Sequence, residues 1–147
     1  NVARSLAVGC AKMGFSFVAA SPPGYQLDPA YLERVRQEVP GAEVQQLEDP
    51  EDAVTDAEVI YTDVWASMGQ ETEKQSRAET FSAYQVNAEL MRQAPERAIF
   101  MHCMPAHRGQ EVTADVIDGP QSVVLDQAAN RMHVQKGLLA WLLGTQS

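Results

Sequence analysis

The sequence predicts an α/β fold: a three-layer, Rossmann-like, doubly wound domain with a mostly parallel sheet. Three observations predict it. Short apolar runs rich in β-branched and aromatic residues, such as Phe15 to Ala20 and Glu58 to Val64, alternate with stretches of helical periodicity. The first of these runs gives way at once to the turn residues Ser21, Pro22, Pro23 and Gly24. The whole chain is 147 residues with 45% apolar side chains, enough for a single packed core.

Val2, Leu6 and Met13 recur at roughly helical spacing, and Gly14 stands where a left-handed C-terminal cap belongs, so residues 2 to 14 are expected to be a helix. Phe15 to Ala20 follows as a buried strand. A second helix is expected from near Pro29, carrying Tyr31, Leu32 and Val35 and stopping before Pro40. Ala42 to Leu47 predicts a strand, Glu51 to Asp56 a short helix, and Glu58 to Val64 a strand. A polar stretch follows around Glu71 to Glu79. Val86 to Gln93 predicts a helix, Ala98 to Met101 is an apolar run, Val112 to Ile117 a helix, Ser122 to Leu125 a strand, and Ala128 to Leu143 a closing helix ended by Gly144. Such a domain ordinarily opens on a strand, whereas this sequence opens on Asn1 and a helix, so an N-terminal truncation is expected.

Charge and cysteine usage narrow the function classes. Eleven basic against twenty acidic residues give a net charge of −9, with no Lys/Arg cluster, so nucleic acid is not an expected partner. No apolar run approaches the roughly 20 residues that cross a bilayer. Cys10 and Cys103 match no zinc or CxxC spacing, which disfavours a disulfide scaffold or a structural metal and favours a reducing compartment such as the cytoplasm. No G-x-G-x-x-G follows a strand, so a dinucleotide-dependent oxidoreductase is also disfavoured.

Three clusters hold the chemistry, since ligands in open α/β sheets sit beyond the carboxyl ends of strands. The first is DVWASMGQE, Asp63 to Glu71, where Asp63 could accept from an ammonium and Ser67 with nearby backbone could hold a carboxylate. A turn or cap role for Asp63 is the plainer alternative. The second is MHCMPAHRG, Met101 to Gly109, which gathers a thiol, two imidazoles and a guanidinium. It is open to three readings: a Cys/His nucleophilic pair, a thiol lining a polar pocket, or a buried small residue beside a satisfied histidine. The Met104-Pro105 bond is a candidate for the cis form. The third is DQAANRMHVQKGLLAWLL, Asp126 to Leu143, in which Val134, Leu138, Trp141 and Leu142 fall on one helical face, widened by Leu139 and Leu143. That stripe needs a partner surface, and Arg131 near its start is either an anion clamp or a surface charge.

Together these clusters resemble the ornithine carbamoyltransferase family over nearly the whole chain. Asp-x-Trp-x-Ser-Met-Gly-Gln at 63 to 70, Phe-x-x-Tyr-Gln-Val at 81 to 86, His102-Cys103-Met104-Pro105, and Asn130-Arg131 before an apolar helix occur in the family's order. Aspartate-specific relatives lack the cysteine of the tetrapeptide, so the resemblance implies ornithine, or a close diamine or modified ornithine, as acceptor. It further implies that Asp63, Cys103 and Arg131 are catalytic, and that Asn1, Ser67, Met68 and Met104 join them in binding L-ornithine and carbamoyl phosphate. Asp63 and Cys103 would meet the side-chain amine, Cys103 and Met104 would face the carbamoyl group, and Arg131 would bind carbamoyl phosphate from the far side.

The resemblance implies no metal or cofactor, and a trimer as the assembly of a full-length parent. The chain would be the ornithine-binding domain over 1–147, supplying half a site, with the closing helix packed on a carbamoyl-phosphate domain. That second domain's Ser-x-Arg-Thr-Arg type turn has no counterpart among these residues. An amino-acid-binding module without catalysis is the competing expectation for the chain by itself. Two positions depart from the family pattern. Ala129 stands where a glutamate is expected beside Asn130-Arg131, and Met104 stands where leucine is usual.

Overall fold

In a computed structural model of the chain, which describes residues 1–66 and 74–144, helices and parallel strands alternate as expected. Helix α1 (Val2–Met13) starts at Asn1, whose side chain accepts from the Val2 N–H. It ends at Gly14 with φ 73°, and the Phe15 N–H returns to the Cys10 carbonyl. Strand β1 (Phe17–Ala20) leads to α2 (Pro29–Glu38), capped by Asp28 on the Ala30 N–H with Pro29 in the first turn. Strand β2 (Val44–Leu47) leads to α3 (Pro50–Val54), and the same device recurs there, with Asp49 accepting from Glu51 N–H ahead of Pro50.

Strand β3 (Val59–Thr62) is followed by α4 (Lys74–Phe81) and one 3₁₀ turn, Ser82–Tyr84. Asn87 caps α5 (Ala88–Gln93) by accepting from both Glu89 and Leu90 N–H groups. Strand β4 (Ile99–His102), the short α6 (Ala114–Ile117) and the long α7 (Val124–Leu142) complete the chain.

All strand pairing is parallel, but it forms two separate pairs, β1 with β2 and β3 with β4, where a single continuous sheet was expected. Each pair has its own core. Ala11, Leu32, Val35 and Val44 pack on the first, while Ile60, Phe100, Val86, Leu90, Val112 and Ile117 belong to the second. Helix α3 touches β1, β2 and α5, and so bridges the two.

Two further differences concern the segment from Ser122 and residues 74 to 81. Ser122 to Leu125 is not a strand: Ser122 makes one parallel bridge with Phe100, after which the chain turns helical at Val124, four residues earlier than expected. The two valines have the β-branched look of a strand, but Val124 reaches its buried position from the first turn of α7. Within the polar stretch, residues 74 to 81 are helical although they carry no apolar stripe, with Phe81 as the anchor.

From Ala128 to Gly144 every residue of the last segment is exposed, including Leu138 at 52% and Trp141 at 63%, as the unpartnered stripe implied.

Candidate active site

The carboxyl ends of the strands are drawn together by a cluster of aromatic rings. Phe81 meets Tyr25 of the loop after β1, edge to face, with ring centroids 4.8 Å apart. It stacks on Trp65 of the segment after β3 at 6.2 Å, and meets Tyr84 at 5.9 Å. Tyr84 in turn donates its hydroxyl to the Glu48 carbonyl just after β2. Loops from three strands therefore converge on one end of the domain, where a ligand crevice of this fold class lies.

The register of the second strand pair decides what stands at that end. Its last matched residues are Thr62 and His102, so the next position on each strand is Asp63 and Cys103. Alternation turns both side chains to the face shared with Tyr61 and Met101, opposite the buried Ile60, Phe100 and His102. The Cys103 thiol donates to Asp63 Oδ1 at 3.0 Å, and the same carboxylate oxygen accepts the Val64 N–H. Burial pushes the thiol up to about 11, with the Asp63 hydrogen bond and charge adding to it and the Tyr61 hydroxyl partly offsetting. Tyr61 is itself pushed up to about 12, first by burial and then by Cys103.

These facts decide among the readings of the second cluster. Cys103 is a protonated thiol lining a polar site, and it is not half of a Cys/His nucleophilic pair. A nucleophilic cysteine needs a lowered pKa and an imidazole aimed at its sulfur. Here His102 points to the other face, where Nδ1 accepts the Met104 N–H at 2.8 Å and Nε2 lies 3.3 Å from the buried Glu111. The Met104-Pro105 bond is cis, and Met104 has φ 57°, the one non-glycine residue at positive φ among those described.

Gln127, in the first turn of α7, ties the site to the closing helix. Its side-chain carbonyl accepts the His102 N–H at 3.0 Å, and its amide reaches the Tyr61 hydroxyl at 3.4 Å. Arg131 lies one helical turn further along, about 6 Å up the axis, exposed and without an ion pair among the described residues. Ala129 beside it is also exposed, so no carboxylate at that position orients the guanidinium. Asn1 serves as the cap of α1, and no hydrogen bond joins it to Asp63 or Cys103. Ser67 and Met68 lie outside the described residues. Among the described residues no three His, Cys, Asp or Glu side chains are gathered as a metal site would need.

Sequence reasoning missed Tyr61, Gln127 and Glu111. Tyr61 was findable, since it lies two residues before Asp63 and so on the same face of the strand. Gln127 reaches His102 across 25 residues, which no local spacing encodes, and Glu111 gains its partners only when the turn from His102 to His107 folds around it.

Residues 1–142 match the family profile described as the Asp/Orn binding domain of aspartate/ornithine carbamoyltransferase. An ornithine carbamoyltransferase of Symbiobacterium thermophilum is 55% identical over 97% of this chain and 47% of its own length. One of Thermococcus kodakarensis is 52% identical over 98% of this chain and 46% of its own. The solved structure of the Pyrococcus furiosus ornithine carbamoyltransferase superposes with a TM-score of 0.91 at 50% identity, covering 100% of this chain and 48% of that one. The chain thus spans about half the length of the relatives it matches. With the Asp63 and Cys103 motifs placed side by side at the strand ends and the match running from Asn1 to Leu142, the chain belongs to the aspartate/ornithine carbamoyltransferase family, in its amino-acid-binding domain.

Proposed function

We propose that this chain supplies the ornithine half of a carbamoyl transfer site, at which the side-chain amine of L-ornithine takes the carbamoyl group of carbamoyl phosphate to give citrulline and phosphate. The observation that carries this reading is the Cys103–Asp63 pair, 3.0 Å apart beyond the ends of adjacent strands. A carboxylate beside a neutral thiol suits an amine that arrives as an ammonium, because Asp63 draws the charge and Cys103 adds no second anion. The amine, with a pKa near that of lysine at about 10, loses its proton before its nitrogen attacks the carbamoyl carbon. The C–N bond forms, the bond to the phosphate oxygen breaks, and the departing phosphate carries off the second proton that the nitrogen sheds. Positioning and charge stabilisation suffice for this chemistry, with no metal or redox group called for.

In this reading Ser67 and Met68, from the Asp63 motif, grip the amino acid end of ornithine, and Asn1 contacts its backbone groups. Met104 faces the carbamoyl group, and Arg131 reaches carbamoyl phosphate from the far side. The carbamoyl-phosphate half comes from outside these residues and packs on the exposed face of α7. The complete enzyme is a cytoplasmic trimer. By itself the chain binds the amino acid without transferring a group to it, a reading favoured by its covering only 47% of the Symbiobacterium relative.

The test is citrulline formation from ornithine and carbamoyl phosphate, measured on this chain and on the same chain joined to an upstream carbamoyl-phosphate half from a relative. Activity is expected only in the joined protein, lowered about 100-fold or more by Asp63→Asn or Cys103→Ala. Inactivity of both, with no ornithine binding by a folded sample, overturns the proposal.

A further inference from the structure

Glu111 is fully buried, yet nothing in the transfer chemistry above uses it. Its surroundings show what it holds. Oε1 accepts the His107 N–H at 2.5 Å and lies 3.3 Å from His102 Nε2, so one carboxylate oxygen meets both ends of the turn from His102 to His107. Oε2 sits 3.7 Å from His107 Nδ1 and makes no hydrogen bond among the described residues. A buried carboxylate so placed is costly unless the groups around it turn positive dipoles towards it. Burial works to raise its pKa, but the His102 side chain and the backbone N–H groups of His107 and Glu111 outweigh burial and hold it below the usual range.

His102 completes the chain of contacts. An imidazole that accepts at Nδ1 from the Met104 N–H carries its proton at Nε2, the nitrogen that faces Glu111. The N–H is not aligned on Oε1 as a hydrogen bond, so the attraction is that of a proton facing a carboxylate at 3.3 Å. The opposite tautomer would set an Nδ1–H against the Met104 N–H and leave Nε2 as an acceptor facing an anion. The carboxylate therefore selects the form of His102 that can hold Met104. Met104 needs holding, because φ 57° is a conformation that a residue with a Cβ seldom adopts.

We propose that Glu111 and His102 are positioning residues of the transfer site: the Glu111 carboxylate fixes the Nε2–H tautomer of His102, whose Nδ1 anchors the Met104 amide and so sets the direction in which Cys103 and Met104 face the reacting carbamoyl group. The consequence for catalysis rests on the carbamoyl transfer reading, whereas the tautomer and the anchored amide do not.

Three measurements separate the anchored amide from its consequence for catalysis. Imidazole ¹⁵N spectra of the chain should show His102 as the Nε2–H tautomer, and Met104 amide exchange should be slow. In His102→Gln, which offers no acceptor at the Nδ1 position, exchange at Met104 should rise about 10-fold, as for the loss of one net hydrogen bond. His102→Asn places a carbonyl oxygen about where Nδ1 stands and should keep the amide protected. In the joined protein, kcat should fall about 100-fold in His102→Gln with little change in the KM for ornithine, and recover most of that loss in His102→Asn. An Nδ1–H tautomer, a Met104 amide indifferent to both variants, or an unchanged kcat in His102→Gln overturns the proposal. A joined protein without activity, alongside the expected tautomer and exchange pattern, refutes the transfer reading and leaves the anchoring of Met104 standing.

Discussion

The Cys103 thiol donates a hydrogen bond to Asp63 Oδ1 at 3.0 Å, so the reactive-looking cysteine of this domain is chemically quiet and the carboxylate beside it is already partly satisfied. That pairing makes the thiol a reporter of the carboxylate. Burial and Asp63 together raise Cys103 to about 11, so its alkylation by iodoacetamide should stay slow at pH 8 and accelerate only towards that value. In Asp63→Asn the burial contribution remains while the anion is gone, so the alkylation midpoint should move down. A midpoint unchanged by the substitution would show that Asp63 does not govern the thiol.

Acid sensitivity should centre on Glu111. Its pKa is lowered in the folded state, so it stabilises the fold in full above the ordinary 4.5 and the contribution is lost as the pH falls through its depressed value. Glu111→Gln keeps an oxygen for the His107 N–H and should cost about 1 kcal/mol at pH 7, whereas Glu111→Ala strands that N–H and opens a cavity, costing about 3 kcal/mol. Thermal melts from pH 7 to pH 3 should show the gap between wild type and Glu111→Gln closing as the solution becomes acid.

Gly119 should resist substitution for reasons of space. A Cβ there would stand 2.3 Å from the Asp115 carbonyl oxygen, inside the turn that closes α6 and carries the chain to Ser122. That oxygen and the Val116 carbonyl oxygen, at 3.3 Å, are both backbone, so relief requires moving α6 itself. Gly119→Ala should cost on the order of 1–3 kcal/mol, read as a lower urea midpoint at unchanged slope.

The exposed apolar face of α7 should govern association of this chain. Leu138 and Trp141 are more than half exposed, and Leu142 and Leu143 extend the same surface. Sedimentation of the wild-type chain should show self-association that Leu138→Glu with Trp141→Gln removes, with little change in thermal stability because neither side chain enters a core. A monodisperse, cooperatively folding wild-type monomer would contradict this.

How far the sequence was legible depended on whether the signal was local. Asp63 and Cys103 stand out because each follows a short apolar run, and parallel pairing then brings the two run ends together. The start of α2 was legible through Pro29, which stands in its first turn. Helix α4 was not, since a polar helix without an apolar stripe looks like a loop. Ser122 failed in the opposite sense: its valine neighbours favour a strand, but one bridge to Phe100 was all the ladder provided before burial of Val124 from a helix prevailed. Glu111 gave no signal, because a lone glutamate before a valine is ordinarily a surface residue, and only the folded turn from His102 to His107 encloses it.

The register between β3 and β4 also says which kinds of sequence drift this domain can absorb. Because Asp63 and Cys103 meet only as the next rung beyond Thr62 and His102, one residue gained or lost inside either strand would swing one partner to the opposite face and bring a core side chain into its place. Lengthening the connection between them, from α4 through α5, leaves the rung untouched. Length variation compatible with this register is therefore excluded from the two strands and left to the chain outside them, and the two short segments that end in Asp63 and Cys103 behave, for insertions and deletions, as a single indivisible unit.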